Sequence, residues 1–106
     1  MAAYVVVNIT VRDPVRYEEY RRLATPTVAA YDGRYIARGG AVDVREGDWS
    51  PSRLVILEFP DVERARAWWH SPEYAPARAI RQSCADTQLI ITEGMAAATP
   101  AAGASR

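Results

Sequence analysis

The chain carries one histidine, His70, in the run Trp68-Trp69-His70-Ser71-Pro72. An imidazole titrates at about pH 6.5, which makes His70 the natural proton carrier of this sequence at neutral pH. Every basic residue is an arginine, so anions can be held only by fork-shaped, permanently charged guanidinium groups. Arg38 ends a short strand-like segment and suits a grip on a carboxylate or enolate oxygen. Asn8 interrupts an otherwise apolar stretch. Together these types support acid–base chemistry on a small organic molecule: Arg38 polarises an oxygen, His70 moves a proton, and no cofactor or metal is called for.

Aromatic residues surround this set. Trp68 and Trp69 are adjacent, about 100° apart on a helix, so one packs on the sheet while the other lines a pocket or meets a partner. Tyr17 and Tyr20 share one helix face and suit core positions with wet hydroxyls. Tyr74 and Arg81, two turns apart, add a phenol and a second cation. Each has a plainer reading as well. Arg38 can pair with Asp43, Asn8 can cap a turn, and His70 can sit in solvent at a helix C-terminus, where the dipole favours it. Cys84, the single cysteine, excludes an internal disulfide and a cysteine-rich metal site. Nothing beside it is built to lower its pKa, so it is expected to be buried filler.

The composition narrows the partners. Lys+Arg and Asp+Glu number 13 each, for a formal net charge of zero, which argues against a nucleic-acid or anionic-membrane role. No apolar run approaches the roughly 20 residues that span a bilayer, and the N-terminus has no signal-peptide pattern. A cytoplasmic place is expected. With 49% hydrophobic and 25% charged residues, the 106-residue chain fits one globular domain over 1–95. The Ala-, Thr-, Pro- and Gly-rich residues 96–106 form a tail too poor in large apolar groups to pack.

The elements follow from caps and periodicity. Tyr4 to Val11 reads as a strand, and Asp13-Pro14 starts a helix. Thr25-Pro26 predicts a break and a short second helix through Tyr31, closed by Asp32-Gly33 with Gly33 left-handed. Arg34 to Arg38 is a strand that Ala41 to Arg45 can extend past Gly39-Gly40. Arg53 to Phe59 is apolar on both faces, hence central. Pro60-Asp61 starts a helix that Ser71-Pro72 breaks and restarts to about Ser83, and Gln88 to Glu93 is the last strand. The order β-α-β-β-α-β predicts an α+β fold of ferredoxin-like type, an antiparallel sheet with helices on one face. The other face then needs a partner, and a second copy in a twofold homodimer is the simplest.

Four segments in this order resemble domain-of-unknown-function family 1330. They are Asp13-Pro-x-x-Tyr17-x-x-Tyr20, Gly33-Arg-Tyr-Ile-Ala-Arg38-Gly-Gly40, Arg53-Leu-Val-Ile-Leu-Glu-Phe-Pro60 and Trp68-Trp-His-Ser-Pro-Glu-Tyr74. The resemblance runs from about Ala3 to Gly94 and implies a dimeric α+β barrel. Proteins of that architecture include cofactor-free monooxygenases, isomerases, cyclases and haem-binding proteins, so the fold leaves the chemistry open. It implies a pocket between helices and sheet. Asn8 and Arg38 should flank it at one end, two strand spacings or about 10 Å apart.

Three functions fit these residues. The first is a small cofactor-independent enzyme acting on a carbonyl or carboxylate compound through Arg38 and His70, by isomerisation, cyclisation, hydrolysis or oxygenation. Its substrate would be held by Asn8, Tyr17, Trp68, Trp69, Tyr74 and Arg81. The second is a haem-binding or haem-degrading oxygenase using Asn8, a tryptophan and His70. The third is a non-catalytic dimer that binds a small organic ligand.

Overall fold

The computed structural model of the protein describes residues 1–95. The expected tail over 96–106 lies outside the described residues. Seven elements follow one another: β1 (Ala3–Val11), α1 (Pro14–Ala30), β2 (Arg34–Arg38), β3 (Leu54–Phe59), α2 (Val62–His70), α3 (Ala75–Cys84) and β4 (Ala85–Glu93). The four strands form one antiparallel sheet in the order β2-β3-β1-β4. This is the expected ferredoxin-like α+β arrangement, with β3 and β1 inside the sheet.

Side-chain alternation along the strands sorts the sheet into two faces. On one face Val5 stands between Leu57 and Ile91, and Val7 between Val55 and Leu89. This face carries the core, where Val5, Leu57, Phe59, Trp68 and Tyr74 are buried beneath the helices. On the other face Val6 stands between Ile56 and Ile90, and Asn8 between Leu54 and Gln88. Among the described residues no helix covers that second face.

Three sequence expectations change. The predicted break at Thr25-Pro26 is absent, and α1 runs through Pro26 without interruption. Pro26 sits on the exposed side of the helix, and the flanking threonines bond back to it: Thr25 Oγ1 to the Arg21 carbonyl at 2.7 Å and Thr27 Oγ1 to the Ala24 carbonyl at 2.6 Å. Burial of Tyr17, Ala24, Thr27 and Val28 along one stripe outweighs the local cost of about 3 kcal/mol for an interior proline. The expected extension of β2 over Ala41 to Arg45 does not form either. Gly39 turns away at φ 72°, and Gly39 to Ser50 is exposed throughout.

The end of α1 closes one residue earlier than expected. Asp32, not Gly33, takes the left-handed conformation at φ 65°. The N–H groups of Asp32 and Gly33 bond to the carbonyls of Ala29 and Val28 at 3.0 and 2.9 Å, the usual αL closure. Glycine is needed at position 33 for a different reason: a Cβ there would lie 2.4 Å from the Phe59 ring.

Candidate functional site

Helix α2 begins on Asp61, whose carboxylate accepts the Arg64 N–H at 2.7 Å. One side of α2, with Ala65 and Trp68, is buried against the sheet. Arg66, Trp69 and His70, at i, i+3 and i+4, fall on the next side and face the edge strand β4. The helix stops at His70 because Ser71 turns extended. Its hydroxyl donates to the Trp68 carbonyl at 2.7 Å and accepts the Tyr74 N–H at 3.1 Å, stitching the break together. The break predicted at Ser71-Pro72 is therefore present and built by Ser71.

Beyond it, α3 brings Arg81 and Gln82 over Thr87, Leu89 and Ile91, the helix-facing positions of β4. With Arg66, Trp69 and His70 they enclose a groove of about 430 Å³. Its polar groups are two guanidiniums, one imidazole, an amide and a hydroxyl, and no carboxylate of the described residues lines it. Arg81 is 3% exposed, and among the described residues neither it nor Arg66 belongs to an ion pair. A buried guanidinium without a counter-charge is costly and favours an anionic occupant. Thr87 Oγ1 is also buried there without a protein partner. Trp69 forms the apolar wall; its ring meets His70 edge-on at 4.9 Å and carries the Arg78 guanidinium at 4.4 Å.

Arg81 leads out of the groove into the core. Its Nε donates to the Tyr74 hydroxyl at 3.4 Å, and that hydroxyl is 3.0 Å from the hydroxyl of Tyr20. Burial, reinforced by the neighbouring Tyr74, pushes the Tyr20 phenol well above its ordinary range. Tyr20 borders a second space, a narrow chamber between α1 and the sheet. Tyr17, Arg21, Tyr35, Arg38 and Trp68 also line it, and its free volume is about 20 Å³. That is room for one water-sized occupant.

The structure thus divides the residues that sequence reasoning had gathered into one site. Trp69, His70 and Arg81 share the groove. Tyr17, Trp68 and Arg38 share the chamber, and Tyr74 stands between the two. Arg38 and His70 line different spaces, so the expected partnership of these two is not formed. Arg38 does not pair with Asp43, which takes Arg45 at 3.3 Å; it lies on the Tyr35 ring at 4.0 Å and donates to Thr25 Oγ1 at 2.8 Å. The expected Asn8–Arg38 gap also fails. Both residues are at the same sheet end, Asn8 opposite Leu54 and Arg38 opposite Val55, but neighbouring residues of β3 face opposite ways. Asn8 lies on the outer face beside Trp49, its Oδ1 buried and unpartnered. Asn8, the tryptophans and His70 therefore do not converge, and the haem-oxygenase arrangement is not built. Cys84 is buried and its thiol is pushed up by burial, as filler should be.

A family model described as a domain of unknown function (DUF1330) matches residues 2–95. The chain belongs to DUF1330. No curated protein matches it in sequence. Among solved structures, a protein of unknown function from Rhodopseudomonas palustris superposes with a TM-score of 0.70 at 19% identity, over 91% of this chain and 84% of the other. A dimeric ferredoxin-like protein of unknown function from Jannaschia sp. CCS1 gives 0.67 at 13% identity, over 89% and 100%. SnoaB, a cofactor-independent oxygenase from Streptomyces nogalater, gives 0.61 at 14% identity, over 91% and 95%. At these identities the likeness establishes the fold.

Several groups in this DUF1330 chain were not singled out from sequence. The i, i+4 spacing of Arg66 and His70 was a usable signal for one helix face. So was the alternation Thr87, Leu89, Ile91, which puts three residues on one side of a strand. Nothing local pointed to Arg21 or Tyr35, which reach the chamber only because α1 crosses the sheet above β2 and β3.

Proposed function

We propose that the chain is a small cofactor-independent enzyme acting on an organic molecule that bears a carboxylate or an enolisable carbonyl, seated in the groove between α2, α3 and β4. One observation carries this reading: His70 and the unpaired, buried Arg81 border the same groove, whose volume suits a small ligand. Arg81, with Arg66, holds the substrate oxygen and offsets the negative charge that grows on it. His70 takes the proton from the adjacent carbon or hydroxyl. Trp69, Leu89 and Ile91 hold the apolar body of the substrate. Isomerisation, cyclisation and cofactor-free oxygenation all begin with such a proton transfer. The shared fold of SnoaB is consistent with this chemistry.

The test is solvent exchange. Pyruvate, phenylpyruvate and related oxo acids are followed by NMR in deuterated buffer for loss of the α-proton. The protein should accelerate exchange of at least one of them, and His70→Gln should remove the acceleration. Exchange at the wild-type rate in His70→Gln rules out the role given to His70. A second reading, a binding module without catalysis, is favoured by the exposure of His70 and by its having no hydrogen-bond partner among the described residues. In that case the acids bind at Trp69 and Arg81 without exchange.

We also propose a homodimer through the outer sheet face. Ile56, Val6 and Ile90 form an apolar row across three strands, and the Glu58–Tyr4–Thr92 row beside it is polar. An apolar centre with a polar rim is the pattern of a protein interface. The Jannaschia relative, of the same fold, is described as dimeric.

A further inference from the structure

The chamber between α1 and the sheet is built of hydrogen-bond donors. Arg21 enters it from α1. One of its terminal nitrogens is held by Glu18 at 3.0 Å, while its Nε–H is buried with no acceptor. Arg38 closes it from β2, with one N–H on Thr25 Oγ1 and no carboxylate partner among the described residues. The Tyr17 hydroxyl accepts from Arg53 Nε at 3.1 Å, which leaves its own hydrogen free to donate. Burial raises the pKa of Tyr20 and Tyr35, so both phenols keep their hydrogens at neutral pH.

No carboxylate of the described residues lines this space. A water inside it would have two hydrogens to give, and among the lining side chains it would find only phenol oxygens as acceptors, of which those of Tyr17 and Tyr20 already have partners. An anion accepts from every side and offers no hydrogen. It also offsets guanidinium charge that is otherwise poorly compensated in a partly buried place. The free volume of about 20 Å³ limits it to one group of very few atoms and leaves no room for a larger organic acid.

We propose that the chamber is a binding site for one small monoanion, of the size of chloride or formate, held by Arg21 Nε and the surrounding phenol hydroxyls and balanced by Arg38. The ion supplies the acceptor that Arg21 lacks and ties α1 to β2. It does not rest on the chemistry assigned to the groove.

Thermal unfolding of the full chain tests the site, with sodium chloride, bromide or formate replacing sodium gluconate at constant ionic strength. The melting temperature should rise saturably with each small anion. Arg21→Met should weaken the midpoint at least tenfold, while Arg22→Met, at the exposed neighbouring position, should leave it unchanged. Crystals grown in bromide should show an anomalous peak within hydrogen-bond distance of Arg21 Nε, a reading that needs no variant. A melting temperature that ignores the exchange of anions, or a chamber holding water in bromide, overturns the site. So does a peak at molar bromide alone without a saturable rise, which marks an adventitious ion only. Displacement of bromide by benzoate also overturns it, because the chamber would then belong to a larger organic acid.

Discussion

The indole N–H of Trp68 donates to Thr27 Oγ1 at 3.0 Å, across 41 residues of sequence and between two helices. The Trp68 ring lies 4.1 Å from Tyr74 and 5.5 Å from Phe59, and Thr27 passes its own hydrogen to the Ala24 carbonyl. This bond fixes the rotation of α2, and with it the division by which Trp68 faces the chamber while Trp69 faces the groove.

Thr27→Val keeps the shape of the side chain and removes the acceptor. Trp68 Nε1–H is then left buried and unpaired, at a cost of about 1–3 kcal/mol. The midpoint of thermal unfolding, followed by circular dichroism, should fall by at least about 4 °C. An unchanged midpoint would show that the indole finds another partner.

Gly33→Ala should destabilise without any change at the groove. The added methyl meets the Phe59 ring at 2.4 Å, and Phe59 is 1% exposed and packed on Trp68, so it has nowhere to retreat. Overpacking of this kind costs about 1–3 kcal/mol. Urea titration should show a lower midpoint with the same slope. A glycine kept only for backbone freedom would instead tolerate alanine, because position 33 does not have a positive φ.

The topology was legible because it rests on local signals: caps at Asp13 and Asp61, β-branched runs, and a strand apolar on both faces. Pro26 misled because its local penalty is small beside the burial of a four-residue stripe on α1. The site was legible in its residue types but not in its grouping. Asn8 and Arg38 are correctly placed along the sheet, yet one residue of register on β3 puts them on opposite faces. Sequence spacing cannot supply that when both faces of a strand are apolar. Arg38 and His70 are separated by buried Trp68 and Tyr74 and half-buried Tyr20, a packing that depends on how α1, α2 and α3 meet.

Alkali should unfold the protein through its buried phenols. The pKa values of Tyr20 and Tyr35 are raised in the fold from 10.0, chiefly by burial, so the folded state holds protons that the unfolded chain gives up. Their contribution is fully present below about pH 10 and is lost as pH rises toward the folded values. Each phenol steepens the fall of unfolding free energy by at most about 1.4 kcal/mol per pH unit. Tyr20→Phe should make the stability curve shallower by up to one proton between pH 10 and 11.5, as denaturant titrations at each pH will show. Equal slopes in the two proteins would mean that Tyr20 ionises as readily in the fold as outside it.

The outer face gives the last prediction. Ile90 is 60% exposed and pairs across the sheet with Val6, which pairs in turn with Ile56. Trp49, 62% exposed, borders the same surface from the β2–β3 connection. A charge at Ile90, where the row reaches the edge strand β4, leaves the folded monomer almost untouched, because the side chain is already in solvent there. It is ruinous in a dry interface, where a carboxylate has no partner. Ile90→Asp should therefore sediment as a monomer with an unchanged circular dichroism spectrum, whereas the wild type should sediment as a dimer. Thr92→Asp, in the polar row beside it, should weaken the dimer far less. If the wild type is monomeric at concentrations of about 100 times a micromolar dissociation constant, the outer face does not join two copies.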